Sequence, residues 1–136
     1  MTYNILILGH SKYPEGTKSF LEFVGGFEEG IETFHISNEN PIEKVRTELE
    51  AYFAKGEPTI VFCDLPGGSP HVTIVDLLAK KSGNNVLVYA GLSPALMLDI
   101  TFKARIIGAA DHNEMVSYCK EKFENLNRFS MQNIFN

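Results

Sequence analysis

The sequence predicts an α/β fold, a doubly wound open parallel sheet with helices on both faces. Short apolar runs alternate along the chain with segments whose apolar residues recur every three or four positions, which is the pattern of repeated strand–helix units. The runs lack clean alternation, as is typical of parallel strands that are covered on both faces. The chain has 136 residues, so we expect one domain over residues 1–136.

Four apolar runs are the predicted strands, and each is followed by glycine or a polar residue. They span residues 3–8, 31–37, 59–63 and 85–90. The second run is the most polar, which predicts that this strand lies at an edge of the sheet. No internal repeat or linker interrupts the series.

The first two helices are predicted between these strands. Residues 17–24 carry Phe20, Leu21 and Val24 on one helical face, so we expect this face to point inward. The second helix begins at an Asn40 cap that a proline follows, and a glycine ends its apolar stripe. Both stripes predict core contacts rather than grooves for a partner.

Three more helices are predicted in the second half of the chain. Ser69 and a proline open the third, which ends at Gly83, while Ser93 and Asp111 are cap candidates for the fourth and fifth. The predicted inner face of the third helix is Val72, Val75, Leu78 and Ala79. The predicted inner face of the fourth helix is Leu96, Met97, Ile100 and Ala104. That of the fifth helix is Met115, Cys119, Phe123 and Leu126.

Composition and charge exclude several function classes. Residues of the set AVILMFWYC make up 44% of the chain, enough to form a core, so disorder is not expected. Twelve Lys and Arg against seventeen Asp and Glu give a formal charge of −5, and no basic run suggests nucleic-acid binding. The sequence shows neither a signal-peptide pattern nor a run of about 20 apolar residues, so we expect a cytoplasmic protein.

Cysteine and histidine spacing gives no metal pattern. Cys63 and Cys119 lie in apolar stretches far apart in the sequence, so we expect buried, reduced thiols. The four histidines are scattered, without the spacing of metal ligands, so neither a metal nor a cofactor is expected. His35 is expected to be structural, His112 lies at a predicted helix start without a specific signal, and a contact of His71 with the site described next is left open.

Chemistry-bearing residues gather where the predicted strands end. His10 follows the first strand and Asp64 follows the third. Ligands in open parallel sheets bind outside the carboxyl ends of the strands, where the strand order reverses. If these two strands are neighbours, the carboxylate can hold one imidazole nitrogen and leave the other as a nucleophile or base. The alternatives are a loop histidine and a turn-forming aspartate.

A glycine pair follows Asp64 by three residues. Gly67 and Gly68 allow backbone N–H groups to turn into one concavity, and Ser69 adds a hydroxyl at a helix N-terminus, which attracts phosphate. The alternative is a plain capped helix. With His10 and Asp64 as catalytic residues and this loop as the phosphate-binding segment, the sequence predicts phosphoryl transfer through phosphohistidine.

Three stretches carry a family resemblance. They are ILILGHS at residues 5–11, VFCDLPGGSP at residues 61–70 and YAGLSPALMLDI at residues 89–100. In content, order and spacing they resemble the IIA component of the mannose-type family of the bacterial sugar phosphotransferase system, over essentially the whole chain. The Asp-x-x-Gly-Gly-Ser-Pro segment is the most specific of these features.

The resemblance implies a strand order of 2-1-3-4 and a phosphorelay. By analogy, Asp64 bonds Nδ1 of His10, the carrier protein HPr phosphorylates Nε2, and Ser69 with the backbone of Gly67 and Gly68 holds the phosphate. The phosphoryl group would then pass to a IIB component and on to a sugar that enters through membrane IIC and IID components. The enzyme class implied is a phosphotransferase.

The resemblance also implies a homodimer. Many family members exchange a C-terminal strand between subunits, and the apolar segment FSMQNIF at residues 129–135 is the candidate for such an extra antiparallel strand. A tail that folds back on its own subunit is the alternative.

Two other functions are alternatives to the transport relay. One is a regulatory phosphocarrier module that a dihydroxyacetone kinase or a transcription regulator reads. The other is a flavodoxin-like or receiver-like binding module, which would need a Ser/Thr/Gly-rich loop or an acidic pair after the first strand, where this chain has His10. A cysteine phosphatase would need an arginine where Ser69 stands.

Overall fold

The chain folds into alternating strands and helices. A computed structural model describes residues 1–81 and 84–125. The elements are β1 Asn4–His10, α1 Tyr13–Gly25, β2 Ile31–Ile36, α2 Ile42–Phe53, β3 Thr59–Cys63, α3 Ser69–Ala79, β4 Val86–Ala90, α4 Pro94–Phe102 and α5 His112–Glu124. A π-helical segment, Lys103–Ile107, continues α4.

The four strands form one parallel sheet in the order β2-β1-β3-β4, as predicted. β2 lies at an edge, which also confirms its prediction. The chain crosses from β1 outward to β2 and then returns to β3 on the other side, so the strand order reverses between β1 and β3. In the register of this pair Leu8 lies opposite Cys63. The ends of both strands therefore meet at one edge of the sheet.

Helices cover both faces of the sheet, which explains the unbroken apolar runs. Helices α1, α4 and α5 cover one face, and α2 and α3 cover the other. The buried core of the first face includes Ile5, Ile7, Leu21, Ile60, Phe62, Met97, Ile100, Met115 and Cys119. That of the second face includes Leu6, Leu8, Val45, Leu49, Phe53, Val61, Cys63, Ile74 and Leu77. Successive residues of β1 and β3 thus enter opposite cores.

Two of the predicted helix caps are confirmed and one is wrong. The side chains of Ser93 and Asp111 accept hydrogen bonds from backbone N–H groups in the first turns of α4 and α5. Asn40 does not cap α2, which begins at Ile42 without a side-chain cap. The Asn40 amide instead donates to the carbonyl of His35 at 2.6 Å, because the turn that leaves β2 uses this side chain.

The predicted inner face of α3 is rotated. Val72 and Val75 are 56% and 47% exposed, whereas Ile74 and Leu77 are buried. Of the predicted face, Leu78 does pack against the core and is partly buried. The helix carries apolar residues on two stripes that both fit helical spacing, so the pattern does not identify the inner stripe. The predicted end of this helix, Gly83, lies outside the described residues.

The end of α1 also differs from its prediction. The helix begins earlier than residue 17, with a proline in its first turn, and Val24 is 52% exposed instead of buried. After the left-handed Gly26, Phe27 turns back and packs against Gly25, so its ring fills the place in the core that Val24 was expected to take.

The remaining predicted helix faces agree with the structure as far as it extends. The four predicted residues of the α4 stripe are buried, and so are Met115 and Cys119 of α5. Leu126 and the tail segment of residues 129–135 lie outside the described residues. None of the described helices is long and apolar enough to cross a membrane.

The burial pattern of α3 leads to a stability prediction. Ile74→Ala should lower the free energy of unfolding by about 2–5 kcal/mol, because it leaves a cavity in the core. Val75→Ala on the same helix should change it by less than about 0.5 kcal/mol, because the side chain is half exposed. Urea unfolding of both variants measures the difference, and equal losses would contradict the observed orientation of α3.

Candidate active site

His10 and Asp64 meet at the point where the strand order reverses. His10 is the last residue of β1, and Asp64 directly follows β3. Nδ1 of His10 lies 2.8 Å from Oδ2 of Asp64. The same oxygen accepts the backbone N–H of His10 at 2.8 Å, and Oδ1 accepts the backbone N–H of Leu65 at 2.8 Å. Three donors from two strand ends therefore hold this carboxylate.

Burial and hydrogen bonding act in opposite directions on Asp64. Burial raises the pKa of its carboxyl. Hydrogen bonds from the backbone and ring of His10 and from the backbone of Leu65 lower the pKa by more than burial raises it, so the pKa lies below its ordinary value. The carboxylate is therefore ionised at neutral pH. The carboxylate accepts a hydrogen bond from the Nδ1–H group of His10, and in a neutral ring with this tautomer the lone pair lies on Nε2.

The imidazole is accessible although its partner is not. The side chain of His10 is 43% exposed, whereas that of Asp64 is 11% exposed. The arrangement thus presents a reactive ring to an incoming group and keeps the orienting carboxylate away from water. A neutral nucleophile with a fixed tautomer is the chemistry that this pair supports.

The close approach of Asp64 to β1 requires glycine at position 9. A Cβ atom on Gly9 would lie 2.9 Å from Cγ of Asp64 and 3.0 Å from Cδ1 of Tyr13. Any side chain at this position would push the carboxylate away from the strand. Gly9 is therefore part of the site because it leaves space for the carboxylate, a role that the sequence pattern does not reveal.

The chain turns away sharply after His10. Ser11 has a φ of 52°, a left-handed conformation that residues other than glycine seldom adopt. Its N–H donates to the carbonyl of Ile36 at 2.8 Å, which ties the turn to β2. Helix α1 begins only two residues later, and the imidazole lies at the rim of the sheet with its side chain partly exposed.

The glycine loop packs against the ring. A Cβ atom on Gly68 would lie 3.3 Å from Cε1 of His10. The N–H of Gly68 donates to the carbonyl of Leu65 at 3.0 Å, and the N–H of Gly67 donates to Nδ1 of His71 at 2.9 Å. Both glycine amides thus have acceptors within the chain, and a phosphoryl oxygen would have to replace them.

The N-terminus of α3 is open to an anion. Ser69 is the first residue of the helix, no side chain caps it, and no acidic residue lies in its first turn. The N–H groups of Ser69 and His71 have no intrahelical acceptors at this end, where the partial charge of the helix is positive. These groups and the Ser69 hydroxyl can donate to phosphate beside His10.

Two other histidines have structural partners, and the cysteine beside the site is unreactive. Nδ1 of His35 contacts Oε1 of Glu15 at 3.0 Å, and Nδ1 of His112 contacts the hydroxyl of Tyr3 at 2.8 Å. Burial, and secondarily the charge of Asp64, raises the pKa of the Cys63 thiol to about 12, so this neighbour of the site stays protonated. Within residues 1–81 and 84–125, no group of three potential ligands is arranged to hold a metal ion.

All five predicted site residues lie in one region of the structure. The pair His10 and Asp64 forms the predicted hydrogen bond, and the loop that ends in Ser69 adjoins the ring. Their chemical roles stay predictions. The contact of His71 with the loop was left open by the sequence, because a first-turn position does not show which way the side chain points.

The comparisons with known proteins identify a family and a shared fold. The family model EIIA-man, the PTS (phosphotransferase system) fructose IIA component, matches residues 4–122. No curated protein matches the chain in sequence.

Three solved structures share the fold. Phosphotransferase system component EIIA from Streptococcus agalactiae is 20% identical with a TM-score of 0.73, covering 91% of this chain and 99% of its own. The mannose/sorbose specific IIA subunit of the phosphotransferase system from Enterococcus faecalis is 17% identical with a TM-score of 0.72, and the match covers 100% of this chain and 98% of that subunit. A sigma-54 interaction domain protein from Enterococcus faecalis is 11% identical with a TM-score of 0.72, and the match covers 97% of this chain and 98% of that protein's chain.

The solved structures are too distant in sequence to show more than the fold, whereas the family match spans most of the chain. The protein therefore belongs to the PTS fructose IIA component family, EIIA-man, as the mannose-type resemblance of its sequence implied.

Proposed function

We propose that the protein is a phosphocarrier that accepts a phosphoryl group on Nε2 of His10 and passes it to another protein. The observation that carries the proposal is the 2.8 Å hydrogen bond from His10 Nδ1 to Asp64, beside a glycine loop and an uncapped helix N-terminus. The family match supports a phosphotransferase-system role for this site.

The transfer is a displacement at phosphorus. The Nε2 lone pair of neutral His10 attacks the phosphorus of the donor's phosphohistidine, and a new N–P bond forms. The donor's N–P bond breaks, and its electron pair returns to the donor's imidazole nitrogen. No proton needs to move, because His10 keeps its proton on Nδ1. Catalysis then consists of positioning and charge stabilisation.

The residues around His10 stabilise the phosphorylated state. Asp64 balances the positive charge that the ring gains when Nε2 binds phosphorus, since its carboxylate accepts a hydrogen bond from the Nδ1–H group, which keeps its proton. Ser69 contributes its hydroxyl and backbone N–H to the phosphoryl oxygens, and Gly67 and Gly68 shape the hollow around them. The reverse displacement by an acceptor histidine returns the lone pair to Nε2.

The partners are proteins of the same relay. We take HPr as the phosphoryl donor and a IIB component as the acceptor. The IIB component would then pass the phosphoryl group to a sugar that enters through the membrane components IIC and IID. Exposed apolar side chains beside the site fit a protein partner, since Leu65 and Val72 are 57% and 56% exposed. A homodimer joined through residues 129–135 also belongs to the proposal, although that segment lies outside the described residues.

A regulatory role is the second candidate. The fold is shared with a sigma-54 interaction domain protein, and this is the observation that favours a regulatory role. The two roles use the same phosphohistidine and differ in the acceptor. Incubation of the phosphorylated protein with a IIB component distinguishes them, because rapid loss of label from His10 supports transport and retention of label supports regulation.

His10→Ala should abolish the incorporation of phosphate from phosphoenolpyruvate, enzyme I and HPr, because the nucleophile is removed. The chain offers a close control in His35→Ala, since His35 also pairs with a carboxylate through Nδ1 and is 41% exposed. This control should be labelled fully. A folded His10→Ala variant that incorporates acid-labile label at the level of the unmodified protein would refute the site.

Asp64→Asn should slow phosphorylation of His10 by about 10-fold to 100-fold, which corresponds to the loss of about one hydrogen bond to a charged group. An amide has one acceptor oxygen for three donors, and its NH₂ group facing Nδ1 favours the ring tautomer that lacks a lone pair on Nε2. Single-turnover rates measure the effect. The matched control is Asp76→Asn on the exposed face of α3, and equal rates for both variants would exclude an orienting role of Asp64.

Ser69→Ala should weaken phosphoryl stabilisation by about 1–3 kcal/mol, the effect of one lost hydrogen bond to a charged group. The equilibrium for phosphoryl exchange with HPr reports this loss. Ser117→Ala, the same change at an exposed position of α5, is the control, and urea unfolding separates a frayed helix start from lost binding. An unchanged exchange equilibrium would remove Ser69 from the site.

A further inference from the structure

We propose that His71 is a positioning residue of this site, whose neutral imidazole holds the amide of Gly67 and so fixes the glycine loop beside His10. The inference deepens the proposed function and rests on it. In this proposal His71 acts on the glycine loop, through its hydrogen bond with Gly67, and not on the reacting atoms themselves.

The contact of His71 with the loop fixes its ionisation and tautomer. The N–H of Gly67 donates to Nδ1 of His71 at 2.9 Å. Since Nδ1 accepts, the ring proton lies on Nε2 and the ring is neutral in this arrangement. A side chain of the first helical turn thus reaches back to an amide before the helix, much as the Glu of a capping box does.

The restraint acts where the loop backbone has the most freedom. Gly67 has a φ of 77°, and glycine adopts both signs of φ readily, so without a partner for its N–H this residue could rotate. The hydrogen bond to His71 limits that rotation. It anchors the loop to α3, whose buried residues Ile74 and Leu77 in turn hold the helix against the sheet.

The loop transmits this restraint to the nucleophile. Gly68 follows Gly67 directly, and a Cβ atom on Gly68 would lie only 3.3 Å from Cε1 of His10 and 3.2 Å from Cβ of Leu65. Displacement of Gly67 therefore moves the backbone that contacts the imidazole and precedes Ser69. A purely structural role of His71 would instead affect the stability of α3 and leave the transfer rate unchanged.

Two nearly isosteric variants test this role. In His71→Asn the amide oxygen lies two bonds from Cβ, as Nδ1 does, and can accept from Gly67. In His71→Gln the oxygen lies one bond further out and cannot take the same place. Single-turnover transfer from phosphorylated HPr should be about fivefold to tenfold slower for Gln, which is the loss of one hydrogen bond, and within about twofold of the unmodified rate for Asn. The HPr concentration at half-maximal rate should not change.

Nuclear magnetic resonance of the unmodified protein provides a readout that does not depend on the variants. The ¹⁵N spectrum of the His71 ring should show the Nε2–H tautomer, and the Gly67 amide should exchange more slowly than an open loop amide. An Nδ1–H tautomer would overturn the proposal even if the variants failed to fold.

The outcomes separate this inference from the proposed function. If the unmodified protein is not labelled on His10, the proposed function fails and the role of His71 fails with it. If the unmodified protein is labelled while the Asn and Gln variants transfer at equal rates, only the role of His71 is overturned. Rescue by Asn and not by Gln supports it.

Discussion

The hydrogen bonds that converge on the Asp64 carboxylate hold the site together. One oxygen accepts both the ring and the backbone N–H of His10, so the carboxylate fixes the imidazole relative to its own strand. The other oxygen accepts the N–H of Leu65, the residue that starts the glycine loop. A single, mostly buried carboxylate thus sets the ring tautomer, joins the ends of β1 and β3 and begins the loop that passes the ring.

This arrangement depends on close packing without side chains. Gly9 leaves the space that the carboxylate fills, and Gly68 lets the loop approach Cε1 of His10. Beneath them the strand ends are rigid, because Leu8 and Cys63 are buried in the core of one sheet face. The exposed imidazole is therefore held by a packed sheet and flanked by backbone, which suits the proposed function, in which the ring meets a protein partner in a fixed orientation.

Local patterns predicted the elements better than their orientation. Apolar runs located the four strands, and the polar character of β2 identified an edge. The inner face of α3 was predicted wrongly, because Val72 and Val75 form a stripe as regular as that of Ile74 and Leu77. The contact from His71 to Gly67 was left open for a related reason, since it depends on a left-handed glycine whose φ the sequence does not specify.

The sequence by itself determined which residues stand at the strand ends, and its resemblance to a known family implied the strand order. Only the tertiary structure decided that His10 and Asp64 touch, because their contact joins residues 54 positions apart. Strand pairing and side-chain direction arise from packing between distant segments, whereas hydrophobic periodicity and capping patterns describe neighbours along the chain. The residue types therefore predicted the chemistry of the site, and the pairing of strands in the sheet determined the geometry of His10 and Asp64.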